Sequence, residues 1–363
     1  MNKVDILIIS GGNSPSVATN LNKLIRILSK FTDRLSLITY CNKENVDLNK
    51  ENIIQMHEDE NSLKQIVFGQ FRVAKTISIL ANTNKIRTIL FVFGQDLQII
   101  PLLVTKMFGI KVIIRSDGRP SMVLKHKSLF IRLFYKVIET INYRASDFLL
   151  AESDFMISKY EYNHANICNG SLYVDLDYFK CNKKISRRKY DVGFVGRLEE
   201  EKGVMQLMKA LQLVDNNLEV LIIGDGSQRA KLLEYINRIN KRITYMDWVH
   251  NYELPYYLND IKFLMMPSYK EGLPNILLEA MACGCIVLAT TVGGIPGIIK
   301  DKNTGVLMED NTPECICKHL VEIICSSESD LNNIQNNAVN LIHNHFSFSC
   351  VLERWKKIID PLL

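Results

Sequence analysis

The chain of 363 residues has no long apolar run. Segments such as Ile89–Phe93 fall far short of the roughly 18 residues that a membrane-spanning helix needs. Near the N-terminus, Ile6–Ile9 follows Asp5 directly. That block is shorter than the roughly 7–15 residues of a signal peptide's apolar region, so a cytoplasmic location is expected. No C-x2-C pair of the zinc type is present. The nine cysteines are odd in number and scattered, with Cys283/Cys285 and Cys315/Cys317 as C-x-C pairs inside apolar segments. Reduced, buried thiols are the expectation. The seven histidines show no metal spacing, and His343-x-His345 is a lone pair. No sequence repeat and no DNA- or RNA-binding motif is visible, which places nucleic acid last among partners. What remains is ordinary: 47% hydrophobic and 23% charged residues, the balance of a globular protein with room for two or three domains.

Apolar blocks alternate with helical periodicity along the whole chain, which predicts α/β architecture with parallel sheets. Strands are expected at Val4–Ile9, Leu35–Thr39, Thr88–Val92 and Lys111–Arg115. Val17, Leu21, Leu24, Ile25 and Leu28 fall at helical spacing after Gly11-Gly12. Cys168–Lys189 is polar, basic and turn-rich and reads as a linker. A second alternating series has strands at Asp191–Val195, Glu219–Ile223, Ile261–Met266 and Cys285–Ala289. Three helical segments follow Thr312, the last at Phe348–Ile359. The division expected is an N-terminal domain over 1–175, a C-terminal domain over 190–345 and a terminal helix over 346–363.

Pro267–Gly294, PSYKEGLPNILLEAMACGCIVLATTVGG, carries the most chemistry. A strand ends at Met266, a loop holds Glu271-Gly272-Leu273, and Pro274 is expected as the first residue of a helix. A helix N-terminus offers backbone N–H groups and the positive end of the dipole to an anion such as a diphosphate. Glu271 and Glu279 cannot stabilise phosphate, but they can accept hydrogen bonds from sugar hydroxyls. The physical reading is a nucleotide-sugar site. The plainer one is an exposed Glu followed by a helix-surface Glu. In Val195–Gly203, VGRLEEEKG, Arg197 offers a planar fork to phosphate and Lys202 a mobile charge. A solvated loop fits the same residues, because Glu199, Glu200 and Glu201 separate the cations. Gly224-Asp225-Gly226 is a glycine turn after a strand.

In this order and at about these distances, the residues resemble glycosyltransferase family 4. The family pattern is a "GRL…KG" loop, a "GxG" turn and an "EGxP…lEAmAcG.pvvat..GG" block. Here these are Gly196-Arg197-Leu198…Lys202-Gly203, Gly224-Asp225-Gly226 and Glu271 through Gly294. Asp301–Leu307, DKNTGVL, looks like the element that follows. The resemblance covers roughly residues 168–325 specifically and the N-terminal half only loosely. It implies the GT-B fold: two Rossmann-like domains facing across a cleft, with the C-terminal helix returning to the N-terminal domain. The implied activity is transfer of a hexosyl-type sugar, with retention of configuration, from a nucleotide-diphosphate sugar to a glycan or lipid-linked acceptor. Cell-surface polysaccharide or glycolipid synthesis is the setting it suggests.

The resemblance also implies roles. Arg197 and Lys202 neutralise the leaving diphosphate, so neither a cofactor nor a divalent metal is required. Glu279 binds the ribose and Glu271 the transferred sugar. Gly12, Gly224, Gly272, Leu273 and Pro274 complete the donor site. Asp175-x-Asp177 looks like a metal-binding D-x-D but falls in the region similar to the family's linker. Asp117, in IIRSDGRP, stands where many relatives carry a cleft histidine. It is either a catalytic residue beside the sugar or acceptor, or a turn residue before Gly118. That departure keeps open a catalytically degenerate nucleotide- or glycan-binding partner subunit. A phosphorylase of the same fold ranks low, since no pyridoxal-phosphate lysine segment is recognisable.

Charge is uneven. Pro101–Arg144 holds nine Lys and Arg against Asp117 and Glu139. Within it, Leu129, Phe130, Leu133, Phe134, Val137 and Ile141 repeat at helical spacing among Lys125, Lys127, Arg132, Lys136 and Arg144. A basic amphipathic helix of this kind can lie on an anionic membrane, here the inner face. It can equally pack its apolar face on a sheet. Trp248 borders a nucleobase or is a packing residue.

Overall fold

The computed structural model describes residues 6–362 except 13, 57–62, 84–85, 95–96, 119–127 and 215–216. Lys125 and Lys127 lie outside the described residues. The chain divides into two compact units, Met1–Leu172 with Val351–Leu363, and Tyr173–Cys350.

The first unit is built on seven parallel strands: β1 (Ile6–Ser10), β2 (Leu35–Thr39), β3 (Ile53–Gln55), β4 (Thr88–Val92), β5 (Lys111–Ser116), β6 (Phe148–Ala151) and β7 (Ile167–Asn169). Their order is β3-β2-β1-β4-β5-β6-β7. The order reverses direction between β1 and β4, the topological switch point of a doubly wound sheet. Every residue of β1 and β4 is buried, because helices cover both faces. The loop Gly11-Gly12 leads into the helix Pro15–Leu28, which Ser14 caps by accepting the Val17 N–H.

The last helix, Phe348–Ile359, supplies Val351, Trp355, Ile358 and Ile359 as fully buried residues. Val351 onward belongs to the first unit, as the resemblance implied. Trp355 Nε1 donates to Ser171 O at 3.2 Å, and Arg354 donates to the Ser171 hydroxyl.

The second unit has six parallel strands: β8 (Tyr190–Val195), β9 (Glu219–Ile223), β10 (Arg242–Met246), β11 (Ile261–Met266), β12 (Ile286–Thr290) and β13 (Val306–Met308). Their order, β10-β9-β8-β11-β12-β13, places its switch point between β8 and β11. Side-chain alternation divides the core in two. Val220, Ile222, Phe263, Met265 and Leu288 pack with Leu207, Leu211 and Leu320. Leu221, Ile223, Leu264, Met266 and Val287 pack with Leu277, Met281 and Ile342.

All nine cysteines are free thiols. Burial pushes the Cys283 thiol well above its ordinary value and Cys285 up to about 11, which keeps both protonated and inert. Among the described residues, no helix is long and apolar enough to cross a membrane.

Candidate functional site

The loops that follow β8 and β11 flank the switch point of the second sheet, and each carries residues singled out in the sequence. The β8 loop runs Gly196-Arg197-Leu198 and tightens into a short 3-10 turn at Glu200–Lys202. Leu198 is fully buried, and its N–H donates to Asp225 O at 2.8 Å. The Gln228 N–H returns a 2.8 Å bond to Leu198 O. The β8 and β9 loops are thereby tied together. Gly224 is obligatory at this junction: its φ is +152°, and a Cβ there would lie 1.9 Å from Gly196 O.

Lys202 and Glu271 meet. Lys202 Nζ donates to both Glu271 carboxylate oxygens at 2.8 Å. Ser268 Oγ donates to Glu271 Oε1 at 2.7 Å, and Thr290 Oγ1 donates to Ser268 O at 2.6 Å. The Glu271 side chain is only 7% exposed and that of Lys202 20%, so the pair is largely withdrawn from water. Gly293 makes room for this loop. Its φ is +57°, and a Cβ would meet Glu271 O at 2.1 Å. The Gly294 N–H also donates to Gly272 O at 2.8 Å. Leu273 packs against the half of the core that holds Leu277 and Met281.

Arg197 is held differently. Its Nη2 donates to Glu201 Oε1 at 2.6 Å, and the side chain is 63% exposed. Glu199 accepts both the N–H and the hydroxyl of Ser227, which hold its carboxyl below its ordinary value.

The helix expected after Glu271 spans Asn275–Ala282. Pro274 is its cap rather than its first residue; extended backbone at Pro274 lets its carbonyl accept the Leu277 N–H. No side chain caps this helix. Glu279 lies within it and is buried, 3% exposed, which removes the plainer reading of a helix-surface Glu.

Farther along the same sheet edge, burial and a hydrogen bond to Asp247 push the Tyr245 hydroxyl up to about 12. It sits 2.8 Å from Asp247 Oδ1 and 3.0 Å from Gly224 O. Trp248 follows β10, is exposed, and stands edge-on to His250, which stacks on Tyr252. The packing alternative for Trp248 does not hold.

In the first unit, Gly12 and Asp117 follow β1 and β5 at the carboxyl edge of their sheet. Gly12 has φ +74° and its carbonyl accepts Cys41 Sγ–H at 3.4 Å. Asp117 accepts Arg115 Nη1 at 2.5 Å. Arg115 is buried, and it also reaches Glu152 and Gly170 O. Asp117 is therefore held by a buried cation, and it also precedes Gly118, whose φ is +129°. Ser268, Thr290, Glu201 and Arg115 were not legible as site residues. The serine three positions before Glu271 is the one signal that could have exposed the Ser268 contact.

The helix Leu129–Ala145 reverses the packing alternative read from its sequence. Glu139, Asn142 and Tyr143 are its buried residues. Leu129, Phe130, Leu133, Phe134, Val137 and Ile141 are all exposed, Phe130 at 81%.

Comparison with known proteins bears on these loops. Residues 189–326 match the family model described as Glycosyl transferases group 1. The chain is 28% identical over 287 residues to an uncharacterized glycosyltransferase of Methanocaldococcus jannaschii, covering 74% of this chain and 78% of that one. A Campylobacter jejuni enzyme is 28% identical over 171 residues, covering 46% of each chain. It is named as an alpha-1,4-N-acetyl-D-galactosaminyltransferase acting on a GalNAc-containing diNAcBac-PP-undecaprenol. Among solved structures, Anabaena HepE in complex with UDP superposes with a TM-score of 0.80 at 16% identity, covering 99% of this chain and all of that one. That likeness is one of fold.

Proposed function

We propose that this chain, a glycosyltransferase of the GT-B fold, moves a sugar with retention of configuration from a nucleotide-diphosphate sugar to a glycan or lipid-linked acceptor. The observation that carries the reading is the contact between Lys202 and Glu271 beside the β8–β11 switch point. In a nucleotide-diphosphate sugar the transferred sugar is bonded directly to the terminal phosphate. A cation for that phosphate and a carboxylate for the sugar's hydroxyls must then be neighbours, as these two are. Glu271 accepts from sugar hydroxyls, while Lys202 and Arg197 face the diphosphate and stabilise the charge that develops as it departs. Glu279 takes the ribose, and the N-terminus of Asn275–Ala282 adds backbone donors. Trp248 offers an exposed aromatic face to the base. Asp117, fixed by Arg115, positions the sugar or the acceptor hydroxyl. With two cations as counter-charge, the transfer needs no divalent metal.

The exposed apolar face of Leu129–Ala145, flanked by Arg132, Lys136 and Arg144, supports docking on an anionic membrane. A lipid-linked acceptor would be met there, in keeping with the undecaprenol-linked substrate in the Campylobacter relative's name. On this reading the chain works at the inner membrane face, in cell-surface polysaccharide or glycolipid synthesis.

The test is a thermal-shift screen with UDP-, GDP-, ADP- and dTDP-sugars, followed by acceptor-dependent release of nucleoside diphosphate. A donor at 100 times its Kd should stabilise by roughly 2.7 kcal/mol. Anomeric configuration of the product, read by NMR, checks retention. Equal rates with and without added Mg2+ check the metal-independent reading. Donor binding without release in any acceptor pool would replace the enzyme with a binding subunit.

A further inference from the structure

Glu309, Cys315 and His319 converge where β13 runs into the helix Pro313–Ile324, and none of the three is assigned to the donor. Glu309 Oε2 lies 2.6 Å from His319 Nε2 and 3.3 Å from Cys315 Sγ. One ligand atom from each residue lies within 4.8 Å of the other two. The local sequence explains the convergence. Cys315 and His319 are one helical turn apart and share a face. Thr312 caps that helix by accepting the Cys315 N–H at 3.3 Å, and Asp310 Oδ1 in turn accepts the Thr312 N–H and hydroxyl. The other Glu309 oxygen, Oε1, faces Lys318 Nζ at 3.9 Å, which leaves Oε2 turned towards the cysteine and histidine.

We propose that Glu309 Oε2, Cys315 Sγ and His319 Nε2 form a three-ligand site for a divalent metal of the zinc class. Mixed oxygen, sulfur and nitrogen donors suit a borderline-soft ion. Tetrahedral bonds to zinc set such donors about 3.3–3.6 Å apart. The Cys315–Glu309 separation already has that value. Glu309 is exposed and can move outward from its histidine hydrogen bond without disturbing the core. Behind the imidazole, His319 Nδ1 is buried without a hydrogen-bond partner and has Glu322 Oε2 at 3.8 Å. A carboxylate behind the second ring nitrogen is the arrangement that orients a ligating histidine. Binding exchanges the Cys315 thiol proton for the metal, so one proton is released to solvent and the thiolate sulfur bonds the ion. The fourth position is left to water. The sequence concealed this site because its ligands follow no C-x2-C spacing, and Glu309 lies outside the helix.

The test uses the full chain, stripped with a chelator and titrated with Zn2+ by calorimetry and with Co2+ by absorption. The expected result is one metal per chain, a thiolate-to-cobalt charge-transfer band and release of one proton. Cys315→Ser should abolish the band. Glu309→Gln, at an exposed position, should weaken Zn2+ binding by about tenfold or more. Cys325→Ser, at an exposed thiol outside the cluster, should change neither. Melting curves of the metal-free variants separate lost affinity from lost folding. No saturable binding by the wild type, or a band that survives in Cys315→Ser, would overturn the proposal.

Discussion

Lys202 and Glu271 lie 69 residues apart in the chain, yet the lysine ammonium is shared between both oxygens of a carboxylate that is only 7% exposed. Ser268 takes up further acceptor capacity on the same carboxylate. Removing the lysine strands a charge in a site of low water access. Lys202→Ala is therefore expected to lose both function and stability. Turnover should fall roughly 100–1,000-fold, the scale for one preorganised electrostatic group. A buried acceptor left unsatisfied costs about 1–3 kcal/mol. Steady-state kinetics and thermal melting check the two effects; a stable, active variant would sink the assignment.

Arg197→Ala should separate what Lys202→Ala combines. Arg197 is exposed and paired with an exposed Glu201, a type of contact worth under about 1 kcal/mol. Its melting temperature should hardly move, while turnover falls on the same roughly 100–1,000-fold scale. Near-normal turnover would remove Arg197 from the diphosphate.

The two glutamates should divide by ligand. Glu279→Gln is expected to weaken free nucleoside diphosphate and sugar nucleotide alike, because a ribose contact is common to both. Glu271→Gln should weaken the sugar nucleotide chiefly. Calorimetry with both ligands decides; equal effects of both variants on both ligands would contradict the division.

The exposed face of Leu129–Ala145 makes a membrane test feasible without damage to the core. Phe130→Ser with Phe134→Ser changes two exposed side chains, so the melting curve should stay in place. Flotation with anionic liposomes should fall about tenfold or more, since each buried aromatic contributes roughly 1.5–3 kcal/mol. Wild-type binding should weaken with added salt. A wild type that stays unbound at low salt rules out the membrane and favours a soluble acidic or phosphorylated acceptor.

Asp147 gives a pH signature. Burial opposes its charge, but hydrogen bonds from Lys106, Val112 N–H and Lys111 outweigh that and hold its carboxyl below the ordinary 3.8. A folded value below the unfolded one means the stabilisation is full above 3.8 and disappears as pH falls through the folded value. Asp147→Asn should melt below wild type at neutral pH. The difference should close as pH is lowered past 3.8. A gap that persists in acid would mean the charge is not its source.

The central strands were legible because burial on both faces makes them continuous apolar blocks; Leu35–Thr39, Thr88–Val92, Glu219–Ile223 and Ile261–Met266 occur as read. The edge strands were not. β3, β7 and β13 are three residues each, too short for any period to register. β10, RITYM, has exposed and half-buried residues that carry little apolar signal. In the helix Leu129–Ala145, periodicity located the stripe correctly but not its side, because Glu139 and Asn142 face inward. At the site, Arg197, Lys202, Glu271 and Glu279 were each visible as residue types. The meeting of Lys202 with Glu271 was not, since it depends on β8 and β11 becoming neighbours across 69 residues.

Trp355 is fully buried and belongs to the first unit, although the entire second unit separates it in sequence from Ser171, whose carbonyl accepts its indole N–H. The order of synthesis therefore differs from the order of completion. As the chain leaves the ribosome, residues 6–172 emerge first, yet the buried side chains of Val351, Trp355 and Ile358 that belong to their unit follow only at the end. The second unit has every one of its strands by then and can close earlier. A nascent chain arrested before Val351 should leave the first unit open to protease and the second already resistant, so the half made first is the half finished last.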